Sequence, residues 1–467
     1  MILALAASLA LVVQDHTALR AAPRSNATEL TSLWQGDVLE VRSERAGYLQ
    51  VYNYRRERCG YLLPAAVRSI GLNESDAPGL LAVMRFLRDG AGSEALGISY
   101  GAAYLKAIPG PARSAEALDA IATMAERLAD QASGAAQRGG ALAAHLEVVE
   151  QFGVRVRSFE RDGRMQVCYD GELFRRLLSL PQASAEQRAR AALSLTRTDC
   201  IDPSLGPQQR ALFDEFRRDL LAQIAERGLN PTTRSRLHAR RAAVWAGIAY
   251  QQARRGLPAE LPAQQALNEL ISAHPDEFGE AYRKEYLESM LRVAAVRWAA
   301  TAPAVQAGPL LLRTRTGEPG QTCLILEDTS TRPAAMLLRR CTYGIVWFSS
   351  LQALVQARAL VVAVQPLESW RELWVFHASA SGWIVDVISP GYEQPEEGYV
   401  EFAGFAPASG RLLLAREVHE HGRFRRRFEE HRLSDLALVK DASAPELLPD
   451  FGRWQDVTWR RDTLALR

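Results

Sequence analysis

Leu33-Trp34-Gln35-Gly36-Asp37-Val38-Leu39-Glu40-Val41, then Tyr48-Leu49-Gln50-Val51-Tyr52, then Gly60-Tyr61-Leu62-Leu63, read as short strands joined by tight turns. Val38, Glu40 and Arg42 fall on one face of an extended chain, and Leu39, Val41 and Ser43 on the other. Leu49, Val51 and Asn53 alternate in the same way with Gln50, Tyr52 and Tyr54. A period of two suits half-buried strands. Turn residues punctuate the stretch at Pro23 to Asn26, Gln35-Gly36-Asp37, Ala46-Gly47 and Arg55 to Arg58. Short strands with regular turns predict a small barrel or sandwich.

Between Thr17 and Val67 these motifs resemble a bacterial Src-homology-3 domain. Ala18-Leu19-Arg20-Ala21-Ala22-Pro23 is similar to its first strand, and Leu33 to Gly36 with Val38 to its Leu-x-x-Gly-x-x-Val turn. Tyr48 to Val51 is similar to the aromatic strand and Gly60 to Leu62 to the closing step. Tyr48 stands where Trp is common in the family, and Ala22 where Gly is usual. The resemblance implies a binding and targeting module, with Trp34, Tyr48, Tyr52 and Tyr61 as ligand contacts and Tyr54 beside them. Aromatic rings give large contact area at low entropy cost, as peptide or glycan recognition requires. A core this small also claims rings for packing.

Residues Ile2 to Val13 form one unbroken apolar run, too short to span a bilayer and of the length of a signal-peptide h-region. No positive residue precedes it, and no small-x-small cleavage site follows. The expectation is export, with residues 1–14 as leader and the mature chain periplasmic or secreted. A buried first strand or short helix in a cytoplasmic protein is the alternative. No later segment is apolar enough to cross a membrane. The 467 residues suggest two to four domains. A net charge of +2 gives no electrostatic reason to expect nucleic acid. Nearly all the positive charge is arginine, Lys106, Lys284 and Lys440 being the only lysines, and no function follows from that bias. Cys59, Cys168, Cys200, Cys323 and Cys341 lack zinc-site spacing. In an exported chain, Cys168–Cys200 and Cys323–Cys341 are the sequence-near disulfide pairs, leaving Cys59 over.

From Ser75 to about Ala300 the period becomes 3.6. Leu80, Val83, Met84 and Leu87 make one apolar stripe before Gly90; Ile121, Met124, Ala125 and Leu128 make another. Ser184-Ala185-Glu186-Gln187 is a capping box opening the helix with Ala191, Leu193 and Leu195. Leu212, Phe213, Phe216, Leu220 and Ile224 mark a helix closed by Gly228 and Asn230-Pro231; Phe278 to Trp298 marks the last. Val154 to Arg157 and Met165 to Cys168, turning at Arg161-Asp162-Gly163, predict a hairpin. No fixed repeat spacing appears, so a non-repeating bundle is expected.

After Thr301-Ala302-Pro303 the period returns to two, in Leu310 to Leu312, Cys323 to Leu326, Ala359 to Val364, Leu373 to Phe376 and Trp383 to Val387. Phe405 to Leu414 resembles a propeller-blade phrase, which Trp459 to Leu466 echoes. The stretch is too short for a closed propeller. The expected architecture is therefore multidomain α+β: a Src-homology-3-like barrel at 15–70, an α-helical domain with a hairpin insertion at 75–302, and an antiparallel β domain with blade-like hairpins at 305–467.

The chemical candidates are few. Arg423, Arg425 and Arg427 alternate along one strand face, able to grip an anion or to pair with Glu429 and Glu430. His419-Glu420-His421 offers two imidazoles without an evident third metal ligand. Asp276, Glu277, Glu280, Glu285 and Glu288 offer carboxylates, but acids in a first helical turn also complement the dipole. No nucleophile elbow, phosphate-cradling loop or zincin motif occurs. No metal or cofactor is expected, and no catalytic residue is assigned. The reading is a non-enzymatic envelope binding protein whose partner is peptidoglycan or an envelope protein; the alternative is an envelope hydrolase targeted by the barrel.

Overall fold

The computed structural model describes residues 8–108, 110–133, 140–161, 163–306, 308–354, 358–380, 382–391, 397–420 and 423–462. The fold is mixed α+β. It divides into two compact units, residues 1–206 with 220–229, and 207–219 with 230–467.

The first unit opens with strands β1 (Ser8–Val12), β2 (Thr17–Arg20), β3 (Glu29–Leu33), β4 (Val38–Arg45), β5 (Tyr48–Asn53) and β6 (Arg58–Leu62). A 3-10 turn, Pro64–Ala66, leads to β7 (Val67–Ile70). The spatial order is β3-β2-β6-β5-β4-β1-β7, and among the described residues no ladder joins the two outer strands. Ala10, Val12, Leu19, Leu33, Leu39, Val51, Leu62 and Val67 fill the inner face.

The apolar run expected to be a leader contributes β1 from its second half; residues 1–7 lie outside the described residues. β1 pairs with both β4 and β7. Ala10 and Val12 enter the sheet's own core, while Leu11 enters the helical core behind it. A strand buried on both faces reads as a continuous apolar run rather than an alternation, which is why the segment resembled an h-region. The sheet thus begins at residue 8, not 15.

Behind it stand α1 (Ala77–Arg88), α2 (Glu94–Ala107), α3 (Ala115–Ser133) and α4 (Ala141–Glu150). They are followed by the hairpin β8 (Val156–Arg161) and β9 (Arg164–Tyr169), and by α5 (Glu172–Leu178) and α6 (Ala185–Leu195). Asp162 of the expected hairpin turn is outside the described residues. Ser184 caps α6, its Oγ accepting from Gln187 N at 3.2 Å while Gln187 Oε1 accepts from Ser184 N at 2.9 Å. Cys168 and Cys200 are joined, S–S 2.06 Å, tying β9 to the segment after α6.

Helix α7 (Pro207–Ala222) runs through the division. The second unit continues with α8 (Pro231–Arg254), α9 (Glu260–Ser272) and α10 (Glu280–Val296). The stretch 75–302 is therefore not one helical domain. Helices α1 to α5 bury their stripes in one core, and α8 to α10 bury theirs against strands near the C-terminus.

The strands of the second unit are β10 (Leu310–Thr316), β11 (Thr322–Asp328), β12 (Ala335–Thr342), β13 (Ile345–Leu354), β14 (Ala359–Leu367), β15 (Trp370–Ser379) and β16 (Gly382–Ile388). Then come β17 (Glu397–Ala406), β18 (Arg411–Glu420), β19 (Arg423–Arg432) and β20 (Leu438–Ala442), and the short helices α11 (Pro449–Trp454) and α12 (Val457–Asp462). β10 to β12 form a three-stranded sheet in which Cys323 and Cys341 face each other and are joined. β13 to β20 form a second sheet, antiparallel except where Trp370 and Arg371 run parallel to Gly398 and Tyr399. One face of this sheet packs β14 and β15 against the small sheet, and β17 to β19 against α10. The blade-like phrase Phe405 to Leu414 is the β17–β18 hairpin. Its supposed echo is a helix from Trp459 to Asp462, because Asp456 caps it: Trp459 N donates to Asp456 Oδ1 at 2.9 Å. Residues 463–466 of that echo lie outside the described residues.

Candidate binding face

Tyr48, Gln50 and Tyr52 share one face of β5, and Tyr61 lies opposite Gln50 on β6. Leu49, Val51 and Leu62 point the other way, into the aliphatic core. The sheet therefore fills its interior without the tyrosines and carries them outside. Tyr54 continues the face at 64% exposure, stacked edge-on to Tyr52 at 4.9 Å. Arg42 of β4 lies over the Tyr52 ring, 4.4 Å from its centroid. Tyr54 Oη donates to Glu40 Oε2 at 2.7 Å, a bond that holds the Glu40 carboxyl below its usual range and raises the Tyr54 phenol. The free thiol Cys59 is exposed on the same face, opposite Tyr52. The result is a surface of planar rings bordered by one cation, one anion and the Gln50 amide.

Trp34 does not belong to this surface. It is 9% exposed and packs with the helical core. Its ring stands 4.2 Å from that of His16 and 5.9 Å, edge-on, from that of His145 on α4. His145 Nε2 is 2.8 Å from Asp15 Oδ1, and Asp15 also accepts from Gln35 N at 3.1 Å and Gln35 Nε2 at 3.2 Å. The buried Asp37 accepts from Trp34 N at 3.0 Å and from Arg55 at 3.0 Å, and Arg55 reaches Glu147 on α4. Gly36 at the tip has φ +89°, and a Cβ there would lie 2.5 Å from Ser99 Oγ on α2. The Trp34 turn is thus the joint between sheet and helices. Asp15, His16 and His145 were invisible as a group in the sequence, since one lone histidine in a helix carries no spacing signal.

The remaining candidates are apart from this face. Arg423, Arg425 and Arg427 are exposed on β19; Arg425 is 3.8 Å from Glu420 and Arg427 is 3.4 Å from Asp441. His419 stacks on Phe424 at 4.4 Å, and His421 lies outside the described residues. Among the described residues no group of three His, Cys, Asp or Glu is placed to hold a metal ion. Glu285 is committed to Arg236 and Arg240, and Glu288 stands 3.5 Å from Lys284.

The second unit has a small cavity lined by Trp298, Gln352, Glu401, Phe402, Asp456 and Trp459 among others. Burial pushes the Glu401 carboxyl up, but Arg297 and the fully buried Arg371 outweigh it and bring the pKa down to about 2. Arg297 Nε donates to Glu401 Oε1 at 2.8 Å, and Arg371 Nη2 to the same oxygen. Glu401 is therefore a fixed anion there, without a proton to give at neutral pH.

No family model, curated protein or solved structure matches the chain. Among the described residues no helix is long and apolar enough to cross a membrane.

Proposed function

We infer that the N-terminal sheet is a Src-homology-3-like binding module of a bacterial envelope protein, and that Tyr48, Tyr52 and Tyr61 contact a cell-wall ligand. The observation that carries this reading is the separation of faces: aliphatic side chains fill the interior, leaving the tyrosines outside. The strand course supports the likeness, with a β2–β3 arm, a β4–β5–β6 meander, a 3-10 turn and β7 returning beside β1. Two joined cysteine pairs support an oxidising compartment. Trp34, given as a ligand contact by the resemblance, is left out, because its buried position serves the joint with the helices. The ligand favoured is peptidoglycan, whose sugar rings and amides match the half-buried Tyr48, Tyr52 and Tyr61 on the outer face, the exposed Tyr54 and the Gln50 amide.

The full chain, incubated with purified sacculi at low salt, is expected to sediment with them. The double substitution Tyr52→Ala, Tyr61→Ala is expected to lower retention at least about tenfold with an unchanged circular dichroism spectrum. Equal retention of both proteins overturns the assignment of the face. Failure of the wild type to sediment overturns the cell-wall ligand.

A further inference from the structure

We propose that Glu417 is a proton-operated switch in the second unit, neutral while α10 lies closed on the β17–β18 pair and ionising as that packing loosens. Four elements meet at this carboxyl. Glu417 is 3% exposed on β18 and directly opposite Tyr399, which is fully buried on β17. Tyr399 Oη donates to Glu417 Oε2 at 3.0 Å. On the other side β19 places Arg426 in register with it, but Arg426 stands at the exposed margin. From α10 the half-buried Tyr286 packs beside it; burial raises that phenol, and negative charge on Glu417 would raise it further.

The buried cations nearby are already engaged. Arg371 lies 5.1 Å from the Tyr399 ring and donates to Glu401; Arg297 donates to Glu401 as well. The charged α10 residues Glu285 and Arg292 turn to other partners, Arg236 and Arg240 for the first, Glu368 and Glu397 for the second. Glu401, two residues from Tyr399, adds like charge. Burial accordingly raises the Glu417 carboxyl from 4.5 to about 7, with Glu401 adding to the rise and Arg426 and Tyr399 resisting it.

An acid held that far above its ordinary value binds its proton about 300-fold more tightly in the closed state than in the open one. By linkage, opening that exposes Glu417 becomes up to about 300-fold more favourable as pH rises from 4.5 through 7, and levels off above. Hydrogen exchange of α10 and β18 amides in the full chain, measured from pH 5 to 8.5 and corrected for intrinsic exchange, is expected to show this step. The isosteric Glu417→Gln keeps an acceptor for Tyr399 and is expected to abolish it. Tyr399→Phe removes a donor that favours the ionised form and is expected to move the step to higher pH. Persistence of the step in Glu417→Gln, or a carbon-13 titration of the Glu417 carboxyl centred near 4.5, overturns the proposal.

Discussion

Two glutamates on one sheet face show how partners rather than burial alone set the charge state. Glu401 and Glu417 are both nearly sealed, at 3% exposure each. Glu401 has two guanidiniums and stays ionised down to about pH 2; Glu417 has one phenol and a peripheral arginine and holds its proton to about 7. Their effects on stability have opposite signs. The depressed pKa of Glu401 gives stability that is complete above pH 4.5 and lost as pH falls toward 2, about 3 kcal/mol in all. The raised pKa of Glu417 removes stability as pH climbs from 4.5 to 7. Glu417→Gln is therefore expected to raise the free energy of unfolding in urea at pH 8, by up to about 3 kcal/mol, and to leave it unchanged at pH 4. Arg371→Ala removes one of the two guanidiniums that donate to the buried Glu401, and urea unfolding at pH 7 is expected to show a loss of about 3–5 kcal/mol. Neither acid was legible beforehand, because each owes its state to side chains on other strands and helices.

At the scale of single elements, legibility followed how sharply each segment's periodicity was marked. The α6 capping box was written in four consecutive residues. Replacing Ser184 with Ala is expected to cost about 1 kcal/mol in thermal or urea unfolding. By contrast α8, 24 residues long, shows no such compact marker of a core-facing stripe. Its buried positions mix five alanines with Leu237, Val244, Ile248 and Tyr250, and Arg240 itself is buried, so the large apolar residues do not form a continuous stripe. The C-terminal helices pack Phe451 and Trp459 on Phe428 and also touch the sheet through a backbone contact that no periodicity announces. Gly404 on β17 has φ +153°, and a Cβ there would come within 2.1 Å of Trp454 O. Gly404→Ala is expected to lift α11 and α12 from the sheet, read as lost hydrogen-exchange protection at Asp456 N, which donates to Ala403 O at 2.8 Å.

For the whole molecule, the alternation of strands and helices gave the α+β class, whereas the partition did not follow from it. The change of period at Ser75 and Thr301 suggested three blocks. The cores instead group each sheet with the helices covering it, a long-range matter that local patterning does not encode. β1 belongs to this scale, since both of its neighbours in the sheet and the helical core rest on it. Deleting residues 1–14 is expected to expose both the β4 and β7 edges and to unfold the first unit, seen as loss of its near-ultraviolet dichroism and protease resistance. Leu9 finds its β7 partner only at Ile70, sixty-one residues downstream. At ribosomal speeds of about 5–20 residues per second, that wait lasts roughly 3–12 s. Throughout it, β1 can pair on one edge at most, with β4, so the edge that β7 covers is the last part of the sheet to close.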